Sequence, residues 1–174
     1  MPALINFVLY QGGWTACVLS AAHGVPDIGV GVALAIVAIH LLAGRERSRE
    51  LALITAAAVL GGIWDSLLVG LRVVRYPELS HAVAVPLWMI ALWMLFATTL
   101  NSSLSWLQHD LRMASLLGAI GGPLAYAAAD RLGALQLPNY ALSMSMLCAG
   151  WAMMTPLLVW LARRGLTPRS SRDA

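Results

Sequence analysis

Asp65 is the residue best placed to do chemistry, because it stands inside the apolar run from Leu51 to Leu71. An ionisable group in hydrocarbon costs at least a few kcal/mol, so its side chain must face protein or water rather than lipid. It follows Gly61 by four positions and Gly62 by three, which puts it on their side of a helix. A carboxyl so placed could hold a proton or a cation, or act as a general base tuned by desolvation. The plainer alternative is a carboxylate hydrogen-bonded inside the bundle or paired with Arg72, seven residues further along the same face. Tyr126, four residues after Gly122, becomes a polar neighbour of Asp65 if the glycine faces converge.

A second constellation lies nearer one end of the chain's apolar segments. Thr98, Asn101, Ser105 and Gln108 recur at spacings of three or four, which makes one polar stripe. Asn6 and His40 fall at a similar depth, so an inner polar cluster is expected, serving interhelical hydrogen bonding or the binding of a ligand or headgroup. Trp88 and Trp93 have Met89 and Met94 beside them, a bulky and adaptable apolar surface. That surface suits core packing or lipid contact, and equally a groove for an acyl chain or polyene.

Several chemistries are excluded. All eleven basic residues are Arg, so no lysine is available for a Schiff base, and a retinal pigment is ruled out. Four His residues, with His23 and His81 towards one surface and His109 towards the other, make neither a di-iron cluster nor a metal site. Cys17 and Cys148 match no metal spacing and read as packed thiols. Phosphate loops, nucleophile elbows and nucleic-acid-binding modules are absent and no nucleic-acid partner is expected, while the identity of any cofactor stays unknown.

The elements that must position these residues follow from composition. The 174 residues are 60% hydrophobic and 11% charged, where a soluble domain has about 25% charged. Apolar runs predict an all-α, polytopic six-transmembrane-helix bundle, with helices over 4–22, 28–43, 51–71, 84–106, 112–129 and 139–161 and a basic tail over 163–174. The first run is read as a span rather than a cleaved signal, despite Ser20-Ala21-Ala22, because no basic residue precedes it. Short connections make hairpins of sequential neighbours. With both termini in the cytoplasm, the inner segments hold Arg45, Arg47, Arg49, Arg112, Arg163, Arg164, Arg169 and Arg172, against Arg72, Arg75 and Arg131 outside. That is the arginine bias of a multi-pass membrane protein with both ends in the cytoplasm. The tail reads as a solvated strip that can lie on anionic headgroups.

Three Gly-Gly pairs, Gly12-Gly13, Gly61-Gly62 and Gly121-Gly122, each fall near the middle of an odd-numbered span. Together with Gly118 they predict close packing of the odd helices in one layer. A central cavity, where side chains are missing, is the alternative.

The stretch from Pro86 to Leu107, Pro-Leu-Trp-Met-Ile-Ala-Leu-Trp-Met-Leu-Phe-Ala-Thr-Thr-Leu-Asn-Ser-Ser-Leu-Ser-Trp-Leu, resembles the signature of a bacterial membrane family, domain of unknown function 2878. Gly118-Ala-Ile-Gly-Gly-Pro-Leu-Ala-Tyr126 and the opening Asn6 to Trp14 agree with it. The resemblance implies proximity to lipid-modifying genes, such as those for cyclopropane-fatty-acid-synthase-like methyltransferases, and to oxidative, envelope or light-stress regulation. It transfers no catalytic residue. Three functions are then in view: binding or helping to process a lipid or other apolar molecule, with membrane lipids and lipid-modifying proteins as partners; a small transporter or proton-coupled carrier that uses Asp65; and a structural assembly partner in the membrane.

Overall fold

The computed structural model describes residues 1–44, 46–77 and 85–165. The described residues form six α-helices: α1 (Ala3–Ala22), α2 (Pro26–Ala43), α3 (Arg47–Gly70), α4 (Leu87–Leu100), α5 (Leu111–Leu132) and α6 (Tyr140–Arg164). A 3-10 turn over Ser105–His109 joins α4 to α5. Four of the helices, α1, α2, α3 and α6, are long and apolar enough to cross a membrane. The sequence-predicted tail is described only as far as Gly165, and His81 and Arg45 also lie outside the described residues.

Local chemistry sets the boundaries. Pro26 occupies the start of α2, where a missing backbone N–H costs nothing. The Asp110 carboxylate caps α5 by accepting from the amides of Arg112 at 2.9 Å and Met113 at 3.2 Å. Gly133 closes α5 with φ of 88°, a conformation that glycine adopts without a Cβ penalty. The turns following α3 and α5 are tied by a short antiparallel bridge, in which Arg75 and Gln136 exchange backbone hydrogen bonds of 3.0 and 2.8 Å.

α4 is apolar all round and forms the centre, packed against α1, α2 and α3 and touching α6, while α1–α2 and α5–α6 are tight hairpins. Its surroundings bury Trp88, Trp93, Leu95 and Leu100 almost completely. By contrast the outward faces of the other helices display Leu4, Val8, Ile28, Leu42, Val59, Ile63, Leu116, Leu124 and Met153. Such a continuous apolar exterior is what a bilayer covers.

Two expectations are corrected here. The fourth helix was expected over 84–106 and ends at Leu100. The Thr98 and Thr99 hydroxyls turn back onto Leu95 O (2.7 Å) and Phe96 O (2.6 Å), and side chains then take the last carbonyls. Asn6 Nδ2 donates to Thr98 O at 3.1 Å, and Gln108 Nε2 to Leu100 O at 2.9 Å. With those acceptors satisfied from outside, the helix gains nothing by continuing.

The glycine pairs also behave differently from the expected layer of odd helices packed on one another. One member of each pair faces inward and receives a large side chain from another helix. A Cβ on Gly61 would overlap the Trp93 ring, one on Gly122 the Trp151 ring, and one on Gly13 would come within 2.7 Å of Leu95. Gly118 lies against Thr155 and the backbone of α6. A Cβ on Gly12 or Gly121 would meet no neighbouring side chain or helix within 4 Å, and one on Gly62 would meet only Ile90, at 3.9 Å. Successive residues on a helix point about 100° apart, so a pair cannot present both members to one partner. Missing from the expectation was Gly150, whose bare backbone seats Trp64. Gly61, Gly122 and Gly150 are sockets for indole rings.

Candidate functional site

Asp65 sits at the middle of the bundle, 1% exposed. Its Oδ2 accepts from Trp93 Nε1 at 2.7 Å, and its Oδ1 accepts a hydrogen bond from the Tyr126 hydroxyl. Both donors arrive by helical spacing: Trp93 reaches over the bare Gly61 one turn below Asp65, and Tyr126 lies one turn above Gly122. The carboxylate is thus held from α3, α4 and α5 at once. Its expected alternative partner is not used. Arg72 lies beyond the end of α3 with φ of 57°, so the chain has left the helical face on which the seven-residue spacing depended. Among the described residues no ion pair forms at Asp65.

Aromatic rings surround this group. Trp93 stacks on Trp151 with centroids 4.6 Å apart and planes 9° apart, and Phe96 packs edge-on against both. Trp88 is buried beside them and edge-on to Tyr76.

An apolar crevice opens from this cluster between α1 and α5. Its deep part is a cavity of about 40 Å³ beside Trp88, Met89, Trp93 and Tyr126. Its wider part is a groove of about 230 Å³ bounded by Leu104, Leu107, Leu117, Gly121 and Thr155. Tyr10, Phe96, Ala125 and Trp151 belong to both. The groove exists because α5 presents Leu117, Gly121 and Ala125 at four-residue intervals, so two of three side chains there are small or absent. Two polar atoms of groove-lining residues, Trp151 Nε1 and Thr155 Oγ1, are buried without a hydrogen-bond partner among the described residues.

The second cluster gathers at the arginine-rich end. Asn6 is 1% exposed, and its Oδ1 accepts from the Ser103 hydroxyl at 2.7 Å while its Nδ2 holds the end of α4. Asn101 Nδ2 donates to Glu50 Oε1 at 3.1 Å, Gln108 Nε2 donates to Asn101 Oδ1 at 2.8 Å, and His40 Nε2 lies 3.2 Å from Glu50 Oε2. His40, Glu50, Asn101 and Gln108 line a polar cavity of about 410 Å³. The sequence-predicted Asn6, His40 and Asn101 are therefore at one end, in two adjoining networks, whereas Asp65, Tyr126, Trp88 and Trp93 form a separate group.

Sequence reasoning missed Glu50 and Trp151. Glu50 was assigned to a connection, but α3 begins four residues earlier than expected and includes it. The signal was present: Glu50, Leu53, Ala57, Gly61, Asp65 and Leu68 recur at three or four residues and form one stripe. Trp151 carried no such mark, because its importance comes from a glycine on a different helix. Among the described residues no group of three or more metal-ligating side chains gathers.

No curated protein and no solved structure matches this chain. A family model described as a protein of unknown function, DUF2878, matches residues 3–157, and the chain belongs to that family.

Proposed function

We propose that this is a six-span protein of the bacterial cytoplasmic membrane, with both ends in the cytoplasm, that binds a single acylated lipid in the crevice between α1 and α5. The observation that carries the reading is the crevice itself. Leu117, Leu124 and Phe7, on the two helices that flank it, are exposed apolar side chains, so its occupant comes from the lipid phase. The groove is slightly smaller than the roughly 300–1,000 Å³ of ligand pockets in general, which fits a chain that remains partly in the bilayer. The partnerless Trp151 Nε1 and Thr155 Oγ1 favour an apolar molecule that brings an acceptor oxygen, as an ester carbonyl does. Arginine placement supports the orientation.

The carrier reading, with Asp65 linked to an ion, calls for a water path to that carboxylate. Asp65 instead accepts from two aromatic donors, and the cavity nearby is small and apolar. The lipid reading is favoured for that reason.

Filling the crevice tests it. Gly121→Trp should remove the lipid that copurifies with the protein in mild detergent, read by mass spectrometry of the extract, while Gly12→Trp should leave it. An identical lipid profile in both variants would sink the proposal.

A further inference from the structure

The polar cavity at the arginine-rich end has its own unmet chemistry. Both oxygens of Glu50 are engaged, by Asn101 and His40. An ionised carboxylate only accepts, so the hydrogen on His40 is assigned to Nε2. His40 Nδ1 is then the free end of the ring. It is buried without a partner among the described residues, on a side chain 6% exposed. Arg49, one residue before Glu50, uses Nη1 to reach Glu46 Oε2 at 2.6 Å, yet its Nε is likewise buried and partnerless. A guanidinium nitrogen only donates, so what Arg49 Nε lacks is an acceptor. Both residues line the same cavity, as does Arg163 from the end of α6.

Charge points the same way. Among the lining side chains Arg49 and Arg163 balance Glu46 and Glu50, and the Nδ1 lone pair of His40 can accept from the P–O–H of a phosphate monoester. Glu50 is held through both oxygens and Glu46 through Oε2, so the side-chain nitrogens left to meet a ligand are the donors Arg49 Nε and the Arg163 guanidinium and the acceptor His40 Nδ1. Guanidinium groups match phosphate oxygens through charge-assisted, often bidentate, hydrogen bonds. The volume of about 410 Å³ admits a phosphate with its ester substituent.

We propose that this cavity, built by His40, Arg49 and Arg163 behind the Glu50–Asn101 brace, is an oxyanion site that takes a phosphate ester. The ester is a lipid headgroup or a soluble phosphate, and the two share the same recognising groups. The site does not depend on the apolar crevice, because none of the residues that line it lines the crevice.

Titration calorimetry of the full chain in a phosphate-free maltoside detergent tests it, with glycerol phosphate as the soluble probe and dioctanoyl phosphatidic acid as the lipid one. Binding of either supports the site; tighter binding of the lipid by about tenfold or more assigns it to headgroups, and equal affinities assign it to free esters. His40→Gln keeps a donor towards Glu50 and removes Nδ1, and Arg49→Lys keeps the charge and removes Nε. Each should weaken binding about tenfold, with the copurified lipid of the crevice retained. Arg163→Gln, at an exposed residue, provides a variant whose folding is not in question and should weaken binding too. Failure of both probes to bind, or affinities unchanged in all three variants, overturns the proposal.

Discussion

Asp65 and Glu50 invite comparison, because they lie on one inward stripe of one helix, fifteen residues apart. At about 1.5 Å per residue they are some 22 Å apart along α3. Asp65 is closed off: its donors are a phenol and an indole whose bodies pack into the bundle. Glu50 is held by an imidazole and an amide, and the wall around it continues into a polar cavity. The same functional group is therefore a fastening in one setting and a brace in the other. Aromatic donors spend their single polar atom on the carboxylate and leave nothing for a ligand, whereas His40 retains a second nitrogen.

The sharpest way to break the closed half is to fill its socket. Gly61→Leu would drive a side chain into Trp93 and lift the indole from Asp65. Overpacking costs about 1–3 kcal/mol, and loss of a buried hydrogen bond to a charge about 1.5–3 kcal/mol more, so little folded protein should survive extraction, as seen by size-exclusion chromatography. Next comes Tyr126→Phe, which removes one donor and leaves the ring. It should cost about 1.5–3 kcal/mol, measured by thermal unfolding in detergent, and a variant as stable as the parent would show that the hydroxyl is not a fastening. The smallest effect is expected at the open half. Asn101→Ala takes one donor from Glu50, which water in the cavity can replace, and should cost about 1 kcal/mol or less. A larger loss there than for Tyr126→Phe would reverse the comparison.

How much of this was legible in the sequence depends on whether a helix or a contact between helices was at stake. Six helices followed from apolar runs, and the boundaries of α1 and α2 differ from expectation by one or two residues. The end of α4 did not, since it is fixed by Asn6, more than ninety residues away, and by Gln108 across a turn. Asp65 and Tyr126 each stood out by their place after a glycine, and the structure brings their side chains together. Trp93 was visible as bulk rather than as a donor, because nothing in its local spacing points to a carboxylate on another helix. Arg72 failed as a partner since periodicity continues past the residue at which the backbone turns.

The shortness of α4 bears on how such a protein is made. Its 14 residues extend about 21 Å, less than the roughly 30 Å hydrocarbon thickness, and most of its surface is covered by other helices. Released alone into a bilayer it would leave the ends of its backbone in hydrocarbon without partners. Its stable residence therefore awaits α1, α2 and α3, which precede it from the ribosome and supply both Asn6 for its terminal carbonyls and Gly61 for its central indole. The order of the helices along the chain is also a workable order of assembly, with the centre of the bundle arriving after most of its walls.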